Sequence, residues 1–243
     1  MTNAESQIQA NVPPRYASLL EDPWIVDVKI SGIYESVVLS QNPEISRKEA
    51  ESGVGYSSKG IMIGDIRPKN KGQEDVVAQA KRYTQGFGMG IPRKSKNGLF
   101  IHGAIGTGKT YIASAIANTL IYQGLDVLMT SQSAMMDRIR RGDLGEIGPS
   151  NRFLTKCLSY DVLIIDDLGK DKPTEYTMSQ LFRILDQRVS DLLPTIITSN
   201  HSLQALVKQL TPDGGELTRA YSMADRIHQA CQTLVLSGKS VRR

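Results

Sequence analysis

The sequence has few residues of the kinds that mark secreted, zinc-binding or membrane-embedded proteins. It contains 2 cysteines, Cys157 and Cys231, among 243 residues, too few for a disulfide framework or a zinc site. A reducing compartment, the cytoplasm, is therefore the expected location. No apolar run approaches membrane-spanning length, and residues 1–14 lack a basic stretch followed by an apolar core. We therefore expect neither a membrane segment nor a secretory signal.

An excess of one charge is also small in this chain. The formal net charge is +4, and the sequence is 22% charged and 40% hydrophobic. These values are typical of a folded globular protein. A mild basic excess is compatible with nucleic acid as a partner, but it does not indicate one by itself. The length fits one large α/β domain with an extension.

The most informative stretch is rich in glycine and ends in lysine and threonine. It fits the pattern G-x-x-x-x-G-K-[ST], which predicts a phosphate-binding loop. Its residues are Gly103, Ala104, Ile105, Gly106, Thr107, Gly108, Lys109 and Thr110, followed by Tyr111. Glycines let backbone N–H groups approach the phosphates, and the next helix points its positive end at them. We expect Lys109 to bind the β- and γ-phosphates of ATP and Thr110 to ligate Mg²⁺.

The flanking sequence fits this interpretation. An apolar run at 97–102 predicts a strand, and apolar residues spaced by four after residue 110 predict a buried helix. Further alternation predicts strands at 126–130, 161–166, 195–199 and 233–236, and helices at 133–141 (capped by Ser133), 151–159, 174–189, 202–210 and 217–230. Repeated βα units indicate an α/β fold, a P-loop NTPase with a parallel sheet flanked by helices.

Polar residues end two of these predicted strands. Asp166 and Asp167 follow a buried run, and Asn200 follows the next. Strand ends meet at the ligand-binding edge of such a sheet. We expect Asp166 to hold Mg²⁺ and Asp167 to orient or deprotonate the attacking water, while Asn200 holds that water or a γ-phosphate oxygen. The alternatives are a strand-terminal turn for the acids and a turn or helix cap for Asn200. The spacing between Asp166 and Asn200 fits two neighbouring strands joined by one long helix. It favours an ATPase of the additional-strand type over P-loop kinases and small GTPases.

The remainder of the chain suggests an N-terminal extension. We predict a partner-binding region over residues 1–75 and an ATPase domain over residues 76–243. Within the extension, residues 1–20 are expected to be disordered or loosely attached, 24–30 and 34–39 to be strands, and 41–72 to be loop or linker. A helix is predicted over 76–87.

With these motifs in place, the chain resembles the AAA+ ATPases of the DnaC helicase-loader and IstB transposition kind. The resemblance is carried by residues 98–124, 153–154, 160–169, 181–188 and 194–200, then by Ala224-Asp225-Arg226-Ile227 and Gly238-Lys239-Ser240-Val241-Arg242. It implies that Asn200 is a sensor-1 residue, that Arg226 enters a neighbouring subunit's ATP site, and that Arg242 acts like a sensor-2 arginine. The alternative for Arg226 is a surface cation that is solvated or paired with Asp225.

The resemblance also implies single-stranded DNA binding by the segment after the second core strand. Cations and one ring in that segment suit phosphate contacts and base stacking. They are Arg138, Arg140, Arg141, Arg152, Phe153 and Lys156. A solvated basic helix face is the alternative.

Two departures from the family pattern qualify these expectations. The second acid is Asp167 where many AAA+ enzymes carry glutamate, and too few residues follow Asn200 for the usual helical lid, so the lid is expected to be truncated or absent. The favoured function is an ATP-switched loader that self-associates and binds a replicative helicase and single-stranded DNA. The alternatives are an IstB-like regulator of transposition and a non-hydrolysing adaptor.

Overall fold

The protein is described from a computed structural model that covers residues 25–31, 34–39, 43–88, 90–92, 94–143, 152–215, 217–238 and 240. The chain divides into two compact units, residues 1–47 and 48–243. In the first unit, strands β1 (Ile25–Ser31) and β2 (Tyr34–Leu39) pair antiparallel. Strands were predicted at 24–30 and 34–39, and their pairing was not. The expectation of disorder for residues 1–20 falls outside the described residues. The functional boundary placed between residues 75 and 76 stays a prediction.

The second unit is built on a five-stranded parallel sheet in the order β4-β5-β6-β3-β7. Its strands are β3 (Gly98–His102), β4 (Val127–Ser131), β5 (Val162–Asp166), β6 (Thr195–Ser199) and β7 (Cys231–Val235). The helices along the described chain, of which α1 begins in the first unit, are α1 (Pro43–Glu51), α2 (Lys71–Gln85), α3 (Lys109–Tyr122), α4 (Gln132–Asp143), α5 (Arg152–Ser159), α6 (Glu175–Ser190), α7 (Leu203–Leu210) and α8 (Leu217–Ala230). The predicted α/β architecture is confirmed.

The central strands carry continuous apolar runs because helices cover both faces of the sheet. Ile164 and Ile197 are fully buried in β5 and β6. On α3, residues spaced by four, such as Ile112, Ile116 and Leu120, are buried against the sheet. None of the helices in the described ranges combines the length and apolar character needed to cross a bilayer.

Strand β6 lies between β3 and β5, which confirms the additional strand. In register, His102 of β3 pairs with Ser199 of β6, and Ile165 of β5 pairs with Ile197. The carboxyl ends of three strands therefore meet beside the loop that follows β3. Residues 236–238 and 240, the described residues after β7, contain no helix. The truncated or absent lid stays a prediction.

A buried arginine fixes the α5–β5 connection to the sheet. Arg188 of α6 donates through Nη1 to the carbonyls of Cys157 (3.1 Å) and Tyr160 (2.9 Å). It also donates through Nη2 to the carbonyl of Pro194 (2.7 Å) and through Nε to the hydroxyl of Thr195 (3.0 Å). Burial lowers the pKa of Arg188 to about 10. These bonds satisfy a charge that would be costly to bury alone.

The prediction of a loop or linker over residues 41–72 is wrong for much of that segment. The segment forms α1 and two 3₁₀ turns, Tyr56–Ser58 and Ile63–Asp65. Contacts distant in sequence hold these turns: Asn118 of α3 donates to the carbonyls of Ser58 (2.7 Å) and Ile61 (2.9 Å). Tertiary hydrogen bonds therefore order a stretch whose composition is typical of a loop.

Three element ends also differ from expectation. Helix α2 begins at Lys71 instead of residue 76, because Asn70 caps it by accepting from the backbone N–H of Gln73. The hydroxyl at the start of α4 that accepts a backbone N–H belongs to Ser131, not Ser133. Strand β7 begins at Cys231, two positions before the predicted start.

Candidate nucleotide-binding site and basic groove

The glycine-rich loop connects β3 to α3 in the arrangement that the sequence predicted. Gly106 and Gly108 have φ values of 81° and 100°, which residues with a Cβ rarely adopt. Lys109 opens α3 and is 5% exposed. Its ammonium donates to the carbonyls of Gly103 and Ala104, both at 2.9 Å. The cation is thus held over the loop at a helix N-terminus, where an anion is favoured.

The two predicted metal ligands are in contact. The hydroxyl of Thr110 lies 3.1 Å and 3.0 Å from the two carboxylate oxygens of Asp166. Burial raises the pKa of Asp166, while hydrogen bonds from Thr198 and Thr110 act in the opposite direction. No cluster of three or more His, Cys, Asp or Glu side chains that could hold a metal occurs in the described part of the chain. One carboxylate and one hydroxyl fit Mg²⁺, which usually completes its shell with water and phosphate oxygens.

Thr198 of β6, whose role was not predicted from the sequence, is bonded to both Asp166 and Asp167. Its hydroxyl donates to Asp166 at 2.6 Å and accepts from the backbone N–H of Asp167 at 2.9 Å. Next to it, Ser199 donates to the carbonyl of Leu168 at 2.7 Å. These bonds fix the turn after β5. The only sequence signal for this role is the position of Thr198 near the end of a strand, because the residues around it are typical of any buried strand.

Asp167 occupies the left-handed region, with φ of 56°. Among residues with a Cβ, aspartate and asparagine tolerate this region best. Its carboxylate lies 3.7 Å from the ammonium of Lys170. Asp167, Lys170 and Asn200 line a cleft of about 600 Å³ together with Lys109 and Thr110. The structure thus brings the loop, the acids and Asn200 to one site.

A second residue that was not predicted, Gln73 of α2, holds the phosphate-binding loop through a hydrogen bond to its backbone. Its amide donates to the carbonyl of Thr107 at 2.8 Å and accepts from the N–H of Lys69 at 2.7 Å. It also lines a recess of about 380 Å³ beside Tyr111. Residues well before the loop therefore shape the site, which no local motif reveals.

Arg226 lies away from the cleft. Its Nε is 2.8 Å from a carboxylate oxygen of Asp186, and its Nη1 donates to Gln229 at 3.0 Å. The alternative pairing with Asp225 is not the one found. Its role in a neighbouring subunit stays a prediction. Arg242, the candidate sensor-2 residue, falls outside the described residues.

Five of the six candidate DNA-binding residues line one shallow groove, which we call the basic groove. They are Arg138, Arg141, Arg152, Phe153 and Lys156, and Glu51 and Leu128 complete the lining. The guanidinium of Arg138 stacks 5.0 Å from the ring centroid of Phe153. Arg140 does not line this groove; it stacks 5.5 Å from the ring of Tyr176. The groove thus holds one stacked ring and four cations, a combination that suits single-stranded DNA. DNA binding by these residues stays a prediction, as does the alternative of a solvated basic helix face.

Comparison with known proteins agrees with this geometry. The sequence profile of the family described as "IstB-like ATP binding protein" matches residues 90–243. The chain belongs to this family. The matched region contains the loop, both acids, Asn200 and Arg226.

Similarity to individual proteins extends beyond the region that the family profile matches. The chain is 26% identical over 217 residues to the replicative helicase loader DnaC of Escherichia coli strain K12, covering 86% of this chain and 84% of that protein. Its fold is similar to the crystal structure of DnaI, with a TM-score of 0.67 and 24% identity, covering 81% of this chain and all of that one. AMPPCP-bound DnaA from Aquifex aeolicus aligns with a TM-score of 0.59 and 20% identity, covering 78% and 53%. The predicted AAA+ type of P-loop fold is thereby confirmed.

Proposed function

We propose that this protein is an ATP-hydrolysing helicase loader that binds a replicative helicase and single-stranded DNA and uses ATP as an assembly switch. The observation that carries the nucleotide part is the contact between Thr110 and Asp166 at the head of α3. The loader part is supported by the DnaC relative, which aligns over most of both chains. A relative that shared only the ATPase domain would support it less.

The loop and the first acid bind the nucleotide and its metal. Lys109 and the backbone N–H groups at the start of α3 bind the phosphates. Thr110 and Asp166 hold Mg²⁺, which neutralises phosphate charge when bound. Thr198 keeps the Asp166 carboxylate turned toward Thr110. The recess beside Tyr111 and Gln73 also includes Gly108 of the loop, and we place the base attached to those phosphates there.

Hydrolysis depends on the second acid and on the strand-end amide. Asp167 accepts a hydrogen bond from the attacking water and orients it, and Asn200 positions that water or a γ-phosphate oxygen. The turn that carries Asp167 is fixed by Thr198, so the carboxylate is pre-positioned. Its side chain is shorter than glutamate, and we expect slow turnover that partners accelerate.

Arg226 of one copy supplies a positive charge to the ATP site of a neighbouring copy. It lies outside its own cleft, and its partner Asp186 is exposed enough to release it. An arginine supplied in trans makes hydrolysis depend on assembly. A mixture of Lys109→Ala and Arg226→Ala proteins, each inactive alone, should therefore regain activity, because mixed neighbours combine an intact cleft with an intact arginine.

The decisive experiment measures association of the full chain with the replicative helicase of its host. With ATP present, we expect a stable complex that binds single-stranded DNA, and Lys109→Ala should weaken the DNA-bound complex. Absence of any complex with the helicase, with or without ATP, would refute the loader function. The nucleotide site would then be tested separately by calorimetry with ATP.

Two other functions have a specific observation in their favour. The family description favours an IstB-like regulator of transposition, and a preference for duplex over single-stranded DNA would support it. The short side chain of Asp167 favours a non-hydrolysing adaptor. Full partner binding and DNA retention by Asp167→Asn, with no ATPase activity in the unsubstituted protein, would support that function.

A further inference from the structure

One acidic side chain lies inside the basic groove. The carboxylate of Glu51 accepts from the ammonium of Lys156 at 2.7 Å and from the hydroxyl of Tyr160 at 2.9 Å. The same ammonium lies 5.4 Å from the Tyr160 ring centroid. A carboxylate that receives a lysine and a tyrosine hydroxyl beside stacked Arg138 and Phe153 has the surroundings of a bound phosphate.

The backbone holds Glu51 at this place. The N–H of Met129 in β4 donates to the carbonyl of Ser52 at 2.6 Å. One turn earlier, the ammonium of Lys48 is buried and lies 2.7 Å from the carboxylate of Asp126. The end of α1 is thus attached to the edge of the sheet on both sides of Glu51. A freely rotating surface glutamate would not be positioned this way.

The energetic hold of the pair itself is modest. The side chains of Glu51 and Lys156 are 35% and 36% exposed, and ion pairs at such exposure stabilise weakly. The bond to Glu51 still raises the pKa of Lys156, so this lysine stays charged. At this strength, a DNA phosphate can replace Glu51 as the partner of Lys156. The ion pair would therefore reduce the affinity for DNA without abolishing DNA binding.

We propose that Glu51 is an internal competitor for single-stranded DNA, occupying a phosphate position of the basic groove through Lys156 and Tyr160. This inference rests on the DNA-binding part of the proposed function and adds a regulator to it. Glu51 is the last residue of α1, which lies within the predicted N-terminal extension. A partner that binds the extension and draws the last turn of α1 away from β4 would free Lys156 for DNA.

The test compares two charge-neutralising variants in the same helix, Glu51→Gln and Glu49→Gln. Glu49 pairs with Lys59 at 3.7 Å and does not line the groove. With a fluorescent single-stranded oligonucleotide and ATP, Glu51→Gln should raise affinity about fivefold at low salt. Its plot of log affinity against log salt should steepen by about 0.7, the value for one more phosphate contact. Glu49→Gln should change affinity by less than about twofold, since its charge is screened from the groove.

Lys156 decides whether Glu51 acts by the proposed route. In a Lys156→Gln background, Glu51→Gln should no longer raise affinity or change the slope. Thermal unfolding confirms that each variant is folded. Equal affinity of the unsubstituted protein and Glu51→Gln would overturn the inference while leaving DNA binding intact. No binding by either protein would instead overturn both the inference and the DNA-binding function.

Discussion

The nucleotide cleft and the basic groove belong to the same sheet unit but are built in opposite ways. In the cleft, the functional side chains extend from buried elements: Lys109 is 5% exposed and Thr198 fully buried. Each is bonded to backbone or to another site residue. In the groove, the arginines of α4 and α5 are exposed. Arg138 stacks on the ring of Phe153, and the carboxylate of Glu51 pairs with Lys156.

This difference suits the cleft to catalysis and the groove to binding. Charges in a protected site interact strongly and need little rearrangement when charge develops during a reaction. Exposed cations are screened by salt, and each contributes a small, replaceable share of the affinity. Single substitutions should therefore act strongly in the cleft and mildly in the groove.

The largest effect is expected from Lys109→Ala. Loss of charge-assisted bonds to two phosphates costs about 3 kcal/mol or more, so ATP affinity measured by calorimetry should fall about a hundredfold. Lys172→Ala is the matched control, because Lys172 is an exposed lysine paired with Asp213 outside the cleft. Equal losses for both lysines would remove the distinction between the cleft and the surface.

Salt should separate the two regions without any mutation. If three arginines of the groove contact phosphates, raising salt from about 50 to about 200 mM should weaken single-stranded DNA binding about twentyfold. ATP binding should change by only about twofold, since its contacts are partly buried. Fluorescence anisotropy and calorimetry measure the two affinities under the same conditions. A salt response of equal size at both sites would contradict the comparison.

Thr198→Val tests whether the cleft is positioned by β6. Valine has the shape of threonine but removes both hydroxyl bonds, leaving the N–H of Asp167 unsatisfied. The cost of about 1–3 kcal/mol should lower the hydrolysis rate about tenfold, with a smaller change in ATP affinity. Thr130→Val, at a buried β4 threonine with no bond to either acid, is the control and should hydrolyse ATP normally.

The smallest effect distinguishes two neighbouring arginines of α4. Arg138 stacks on Phe153 in the groove, whereas Arg140 stacks on Tyr176 outside it. Arg138→Ala should weaken single-stranded DNA binding about fivefold and Arg140→Ala less than about twofold. If Arg140→Ala has the larger effect, DNA follows a path other than the groove.

Much of the site could be predicted because its residues follow strands in recognisable patterns. The loop at 103–110 needs glycines, lysine and threonine in sequence, and two acids after an apolar run are a strong local signal. Thr198 and Gln73 could not be predicted, since each acts through a partner that only the sheet order and the packing of α2 bring near. Helix α1 was missed for the same reason: its order depends on bonds to residues far along the chain.

The sequence alone determined the α/β class, the phosphate-binding loop and the acids that face it, because these depend on residue type and on periodicities of two and 3.6. Tertiary structure decided which cations share a groove, which threonine holds Asp166, and that Glu51 lies among the cations. Those relations depend on the register of parallel strands and on the chain paths between them. A side chain's distance to a partner many residues away follows from packing and not from local composition.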